Sequence, residues 1–308
     1  MSRDIRNIIV VGGGHVGSAI ITGLLNSPHE YSVSVLSREA SSYTPPAGTT
    51  RIKTDYTHES LVKALMEQDA VVSAISGHAL LEQIKVIDAA IEAGVRRFVP
   101  SEFGGDTRNE HSRIKVPYFA LKYQVLEYLQ QKQGQIEWTA FFSGPFLDET
   151  LKNGILGFSI PTKTATQWDP KYASAKYSAS RLSFVASAVA QSLSPALLSQ
   201  TANQYLAVRD ATVSPELLLA ALEKTTGTKW TRNVVDMDEV FREGEARVAG
   251  GDIMGVVPMI VGNLLDGASG NDFDEGGIVS NGLLGIEGVG LEEIVEGAVR
   301  EVGVEGRK

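Results

Sequence analysis

Two hydrophobic rhythms alternate along the first half of the chain. Short, nearly unbroken apolar runs occur in "IRNIIVVGG" (5–13), "YSVSVLSR" (31–38), "DAVVSAISG" (69–77), "VRRFVP" (95–100) and "IEWTAFFSG" (136–144). Between them, apolar positions recur at helical spacing in "HVGSAIITGLLN", "HESLVKALMEQ", "LLEQIKVIDAAIEAG" and "PYFALKYQVLEYLQQ". The short runs fit strands covered on both faces, and the longer period fits helices with one apolar stripe. Gly94 stands where a helix C-terminal cap would fall. Strands alternating with helices in this way predict an α/β fold, a doubly wound parallel sheet with right-handed crossovers.

After Gly144 the rhythm loosens. "PFLDETLKNGILGFSI" and "TKTATQWDPKYASAKYSASRL" do not resolve into strand–helix units, whereas "RLSFVASAVAQSL" reads as a helix and "NQYLAVRD" as a strand. "SPELLLAALEK" starts a helix, with Ser214 as its N-cap and Pro215 in the first turn. Fifteen of the 31 glycines lie between Gly250 and the end of the chain, which predicts a loop-rich segment with short helices such as "LEEIVEGAV". The expected organisation is a nucleotide-binding unit over residues 1–150, to whose sheet the 180–210 segment adds, followed by a smaller lobe over 151–308.

The first strand ends in "VVGGGHVGSAI", which contains Gly12-x-Gly14-x-x-Gly17 and opens directly into a helix. In that context Gly12 serves a tight turn, Gly14 lets backbone approach a pyrophosphate, and Gly17 lets helix pack on strand. The amides of Gly12, Gly14, His15, Val16 and Gly17 then surround a dinucleotide at a helix N-terminus. The second strand ends in Ser37 and Arg38, where an NAD site would place a carboxylate. A guanidinium matches the 2′-phosphate of NADP, so NADPH is the expected cofactor, although Glu39 follows immediately. The third strand ends in "SAISG", whose small residues, Ser76 among them, can lie against a cofactor or simply form a tight turn.

Tyr118 and Lys122 are four apart on a predicted helix and share one face. Such a pair is either a catalytic acid with its electrostatic partner or a solvated flank. Composition narrows the setting. The net charge of −9 argues against general nucleic-acid binding, and the absence of cysteine removes disulfides and thiolate chemistry. No two of the five histidines are three to five residues apart, so nothing points to a metal. The longest apolar run, "IMGVVPMIVGNLL", is too short to span a bilayer, and the N-terminus leads straight into a strand; a cytoplasmic protein without membrane partners is expected.

"GGGHVG", "VVSAISG", "AAIEAGVRRFVPSEFGGD", "YFALKYQVLEYL", "GPFLDETLKNGILGF" and "LEKTTGTKWTRNVVDMDEVFREGE" together resemble the isoflavone reductase-like, NmrA-like branch of the atypical short-chain dehydrogenases. The resemblance implies a Rossmann-type sheet with a smaller C-terminal α+β substrate lobe. It implies an NADPH-dependent reductase acting on a carbonyl or activated C=C of a small aromatic metabolite, as monomer or homodimer. The family's functional lysine, in the helix after "PSEFG", maps onto Lys122, which is expected to be catalytic or to position the cofactor. Two features depart from the family: Gly13 replaces a usual threonine, and Tyr118 precedes the lysine as in ordinary short-chain dehydrogenases, where the tyrosine is the acid. Ser101 is a candidate to polarise a substrate oxygen or to make a turn hydrogen bond, and Phe103, Phe142 and Phe146 are expected to wall the pocket. Two other functions stay open: an NmrA-like sensor of NADP(H) without turnover, and a dehydratase or isomerase on the same fold.

Overall fold

The computed structural model describes residues 4–305. In chain order the elements are β1 (Asn7–Val11), α1 (His15–Leu25), β2 (Ser32–Arg38), β3 (Thr49–Thr54), α2 (His58–Leu65), β4 (Ala70–Ser73), α3 (Glu82–Glu92), β5 (Arg97–Val99), α4 (Glu110–Lys115), α5 (Pro117–Gln131) and β6 (Glu137–Phe142). There follow α6 (Leu147–Lys152), β7 (Phe158–Ser159), β8 (Thr164–Gln167), α7 (Pro170–Ala173), β9 (Tyr177–Ala179), α8 (Leu182–Ser192), β10 (Gln204–Ala207), β11 (Ala211–Val213) and α9 (Pro215–Thr226). The chain closes with β12 (Thr231–Val234), α10 (Met237–Ala249), α11 (Val256–Leu264), α12 (Asn281–Leu284) and α13 (Leu291–Glu305).

Seven strands form one parallel sheet in the order β10-β6-β5-β4-β1-β2-β3. Its middle strands carry apolar residues toward both faces, as a doubly covered sheet requires. On one face Ile20, Ile21 and Leu24 of α1 and Val185 and Val189 of α8 pack with Ile8, Val10 and Val72. On the other, Leu61 of α2, Val86 and Ile87 of α3, and Val125 and Leu129 of α5 pack with Ile9, Val71 and Phe98. The chain reverses direction across the sheet between β1 and β4, which is where a doubly wound fold opens a crevice at the carboxyl ends of its strands.

The edge strand β3, "TTRIKT", has no counterpart among the predicted elements. Only Thr54 of its six residues is buried, so the strand lacks the apolar run that marks the inner strands.

A third core lies beyond β6, built from Leu147 and Leu151 of α6, Phe158, Trp168, Tyr177, Leu218, Leu222, Trp230, Ile294 and Val295. It sits among the small sheets β12-β8-β7 and β11-β9. The glycine-rich end is more helical than expected: α13 runs for 15 residues, and α11 for nine. Pro258 is third in α11, within the first turn, where a missing N–H breaks no helical bond. A small apolar seam joins the two parts, with Val116 and Phe119 at the start of α5 meeting Met259 of α11, and Tyr118 and Phe241 beside them.

Candidate active site

The glycine loop has the geometry its spacing predicts. Gly12 takes a φ of +99°, where a side chain would be strained. A Cβ on Gly17 would lie 1.9 Å from the Gly12 carbonyl oxygen, so no larger residue fits while the helix stays in place. A Cβ on Gly14 would meet nothing within 4 Å, and no side chain caps α1 there. The first turn of α1 thus has no side-chain cap and open space beside Gly14, as a pyrophosphate cradle requires. Ala74, just past β4, lies against the loop: its carbonyl would be 3.2 Å from a Cβ on Gly12. That contact accounts for the small residues of "SAISG".

Val16 packs partly against the first core, while His15 is exposed at the helix mouth. Its imidazole lies 2.5 Å from the Glu149 carboxylate of α6, which also holds Lys152. Ser76 is exposed, in extended backbone at the start of a short turn.

Arg38 ends β2 exposed to solvent, and its guanidinium makes no hydrogen bond or ion pair among the described residues. Sequence reading missed its neighbour Arg51, because it missed β3. Arg51 donates from Nε to the Ser37 hydroxyl at 2.8 Å and from its other end to the Ser41 carbonyl. It thereby ties the loop after β2 to the strand tip. That loop brings the Tyr43 ring to within 2.3 Å of where a Cβ on Gly13 would stand. Tyr43 thus fills the space that a side chain at position 13 would need, which accounts for the glycine there.

At the other end of the crevice, the turn "PSEFG" is held in an unusual conformation. Phe103 has a φ of +32°, which costs a non-glycine residue on the order of 1–3 kcal/mol. Its ring is 6% exposed and stacks on Phe141 with centroids 6.2 Å apart, so core burial offsets the strain. Ser143 and Gly144 amides close the turn by donating to the Gly104 carbonyl at 2.9 and 3.0 Å. The Ser101 amide donates to Gln83 Oε1 at 2.8 Å, and its hydroxyl has no partner among the described residues.

Lys122, on α5, points into this turn and donates from Nζ to the Glu102 main-chain carbonyl. Glu102 itself is 1% exposed, and its carboxylate accepts from Thr107 Oγ1 at 2.8 Å. Burial raises the Glu102 carboxyl to about 7, against the opposing pull of Lys122 and Thr107. Burial also pushes the Lys122 ammonium below its ordinary value, with Glu102 resisting. Tyr118 is half-buried; its ring centroid is 6.0 Å from Lys122 Nζ, and its hydroxyl accepts from the Gly77 amide at 3.0 Å. Burial raises the Tyr118 phenol, making it a weaker proton donor, while the Gly77 amide opposes the shift.

Strand ends β4 and β5 and helix α5 thus bring Gly77, Glu102, Tyr118 and Lys122 together. Of the three predicted aromatic walls, Phe103 and Phe142 turn inward. Phe142 has no exposed surface and stacks on Tyr205 at 5.8 Å, beneath the Arg108 guanidinium at 5.1 Å. Phe146, at the start of α6, is only half-buried. Near the seam, a hollow of about 250 Å³ is lined by Lys115, Tyr172, Met237, Asp238, Phe241 and Arg242.

The NmrA-like family model matches residues 5–251, most of the chain. The chain belongs to the NmrA-like family. Among its relatives, an oxidoreductase of Aspergillus flavus named aprR is 37% identical over 261 residues, covering 83% of this chain and 86% of that protein. An isoflavone reductase homolog of Solanum tuberosum is 35% identical over 167 residues, 49% of this chain and 53% of its own. Solved structures share the fold. The complex of leucoanthocyanidin reductase with NADPH from Vitis vinifera superposes with a TM-score of 0.78 at 18% identity, over 96% of this chain and 99% of that one. AtPrR2 with NADP⁺ and (+)-pinoresinol gives 0.71 at 22% identity, over 87% and 90%. The doubly wound sheet is of the Rossmann type these reductases carry. No helix among the described residues is long and apolar enough to cross a membrane.

Proposed function

We propose that this protein is an NADPH-dependent reductase that delivers a hydride to a carbonyl or activated C=C of a small aromatic metabolite. The observation that carries this reading is the placement of Lys122. A lysine with a depressed pKa is fixed at a strained turn, in the same crevice as an uncapped glycine-loop helix. Reductase relatives and the NADPH-bound leucoanthocyanidin reductase of the same fold support it.

The residues present fit a phosphorylated dinucleotide. The amides that follow Gly14 would bind the pyrophosphate, and Arg38 would meet the 2′-phosphate from the β2 tip. The cofactor supplies the hydride; the chain supplies orientation and a proton. Lys122 holds that proton on Nζ. When hydride reaches a carbonyl carbon, the oxygen takes the proton and Lys122 is left a neutral amine, recharged from solvent. For an activated C=C, the proton goes to the carbon that the hydride does not attack. A lowered ammonium pKa suits this task near neutrality better than a raised phenol does. Tyr118 therefore positions and lines, its hydroxyl held by Gly77.

The test is a screen of aromatic ketones and enones with NADPH deuterated on each face of the nicotinamide in turn. Deuterium appearing in a product, and vanishing in Lys122→Met, supports the reading. Unequal affinity for the oxidised and reduced cofactors, with no transfer to any substrate, would move the protein to the sensor class.

A further inference from the structure

Glu102 is the one fully buried carboxylate beside Lys122, and the activity proposed above gives it no task. One residue offers Lys122 two groups at once. Its carbonyl accepts the ammonium hydrogen bond, and its buried carboxyl, though not within ion-pair distance, pulls the same ammonium pKa upward. The carboxyl is held in turn by Thr107, itself 1% exposed, whose carbonyl accepts from Arg113 at 2.8 Å. The left-handed Phe103, anchored on Phe141, directly follows Glu102 and fixes the direction of the chain through the turn. An isolated buried carboxylate is costly, so one retained at a strained turn needs a compensating charge, and the cation it interacts with is Lys122.

We propose that Glu102 is the positioning residue of this site: its carbonyl aims Lys122, and its carboxyl, once ionised above neutral pH, keeps Lys122 an ammonium until the proton is required. This inference rests on reading Lys122 as the group that meets substrate. The other charged or titratable groups that face Glu102 are accounted for. Asp106, on the same loop, is committed to Arg108 at 2.6 Å, Tyr118 accepts from Gly77, and Tyr205 of β10 accepts from Gln130 and lies under Arg108 at 4.6 Å. Lys122 is thus the partner whose charge Glu102 is placed to set.

The test needs neither cofactor nor substrate, so it stands or falls separately from the reductase reading. Protein isotopically labelled at the lysine ε-carbon is titrated by NMR, and the Lys122 signal is assigned by its loss in Lys122→Arg. Glu102→Gln should lower the Lys122 titration midpoint by about one pH unit or more, with Glu102→Asp restoring part of it. Thr107→Val keeps both ionisable residues but removes the hydrogen bond that favours the carboxylate, so Glu102 ionises at higher pH and holds the Lys122 ammonium less. It should shift the midpoint the same way by less, and it decides the matter if Glu102→Gln does not fold. An unchanged Lys122 midpoint in a folded Glu102→Gln, or in Thr107→Val when that variant must decide, overturns the proposal. A shifted midpoint with no reductase activity on any substrate would leave Glu102 in its role and reject the activity instead.

Discussion

The two ends of the crevice work by different physics. At the glycine loop the backbone does the binding: the site is a set of amides, and side chains matter mainly where they are missing. At the Lys122 end the backbone only sets the stage, and the chemistry lies in a buried carboxyl and a half-buried lysine whose charges depend on each other. The first kind of site tolerates change wherever there is open space and fails wherever atoms would collide. The second fails when a charge loses its partner, whatever the space.

Steric limits should give the largest effects at the loop. Gly17→Val, which places carbon against the Gly12 carbonyl, should cost more than about 3 kcal/mol or prevent folding, whereas Gly14→Ala should stay within about 1 kcal/mol. Urea unfolding of the two variants measures the contrast, and equal losses would break it. At the other end, Lys122→Met should lower kcat by about 10²- to 10⁴-fold while NADPH affinity stays within about tenfold. A variant that instead loses cofactor and keeps its rate would make Lys122 a cofactor ligand only.

The buried carboxyl also predicts a pH dependence. The folded protein keeps a proton on Glu102 up to about 7, while the unfolded chain releases it near 4.5. Stability should therefore fall as pH rises between those values, by up to about 3 kcal/mol, and the loss should persist above them. Glu102→Gln should remove that slope, so unfolding of both proteins across the range isolates it; parallel curves would mean that Glu102 titrates normally. Smallest is Tyr118→Phe, which should cost about 1 kcal/mol through the orphaned Gly77 amide and leave kcat within about tenfold. A fall of a hundredfold or more would return the role of acid to Tyr118.

The same contrast explains what could be read from the chain. Inner strands and the glycine loop announce themselves because apolar runs and invariant steric demands leave local marks. β3 stayed hidden because an edge strand can be half polar, and with it went Arg51. The late glycines misled for a different reason. A Cβ on Gly255 would lie 2.6 Å from the Gly244 carbonyl oxygen, and one on Gly288 would lie 2.0 Å from that of Asp210. These glycines mark close approaches between packed elements as much as loops. Lys122 and Tyr118 showed as a helical pair, but Glu102 is a single acidic residue in a turn, and only the folded chain reveals that it is buried. Phe103 and Phe142 read as apolar surface because sequence does not say which way a ring near a strand end points.

The measurement that bears most directly on the account is calorimetric titration with NADPH, NADP⁺, NADH and NAD⁺, on the parent protein and on Arg38→Ala. Binding of both phosphorylated forms at least tenfold tighter than the others, with that preference lost in Arg38→Ala, is the predicted result; loss of one charge-assisted contact is worth about 1.5–3 kcal/mol. Failure to bind any of the four would contradict the account, since neither the glycine loop nor Lys122 would then have the cofactor on which its assigned role depends.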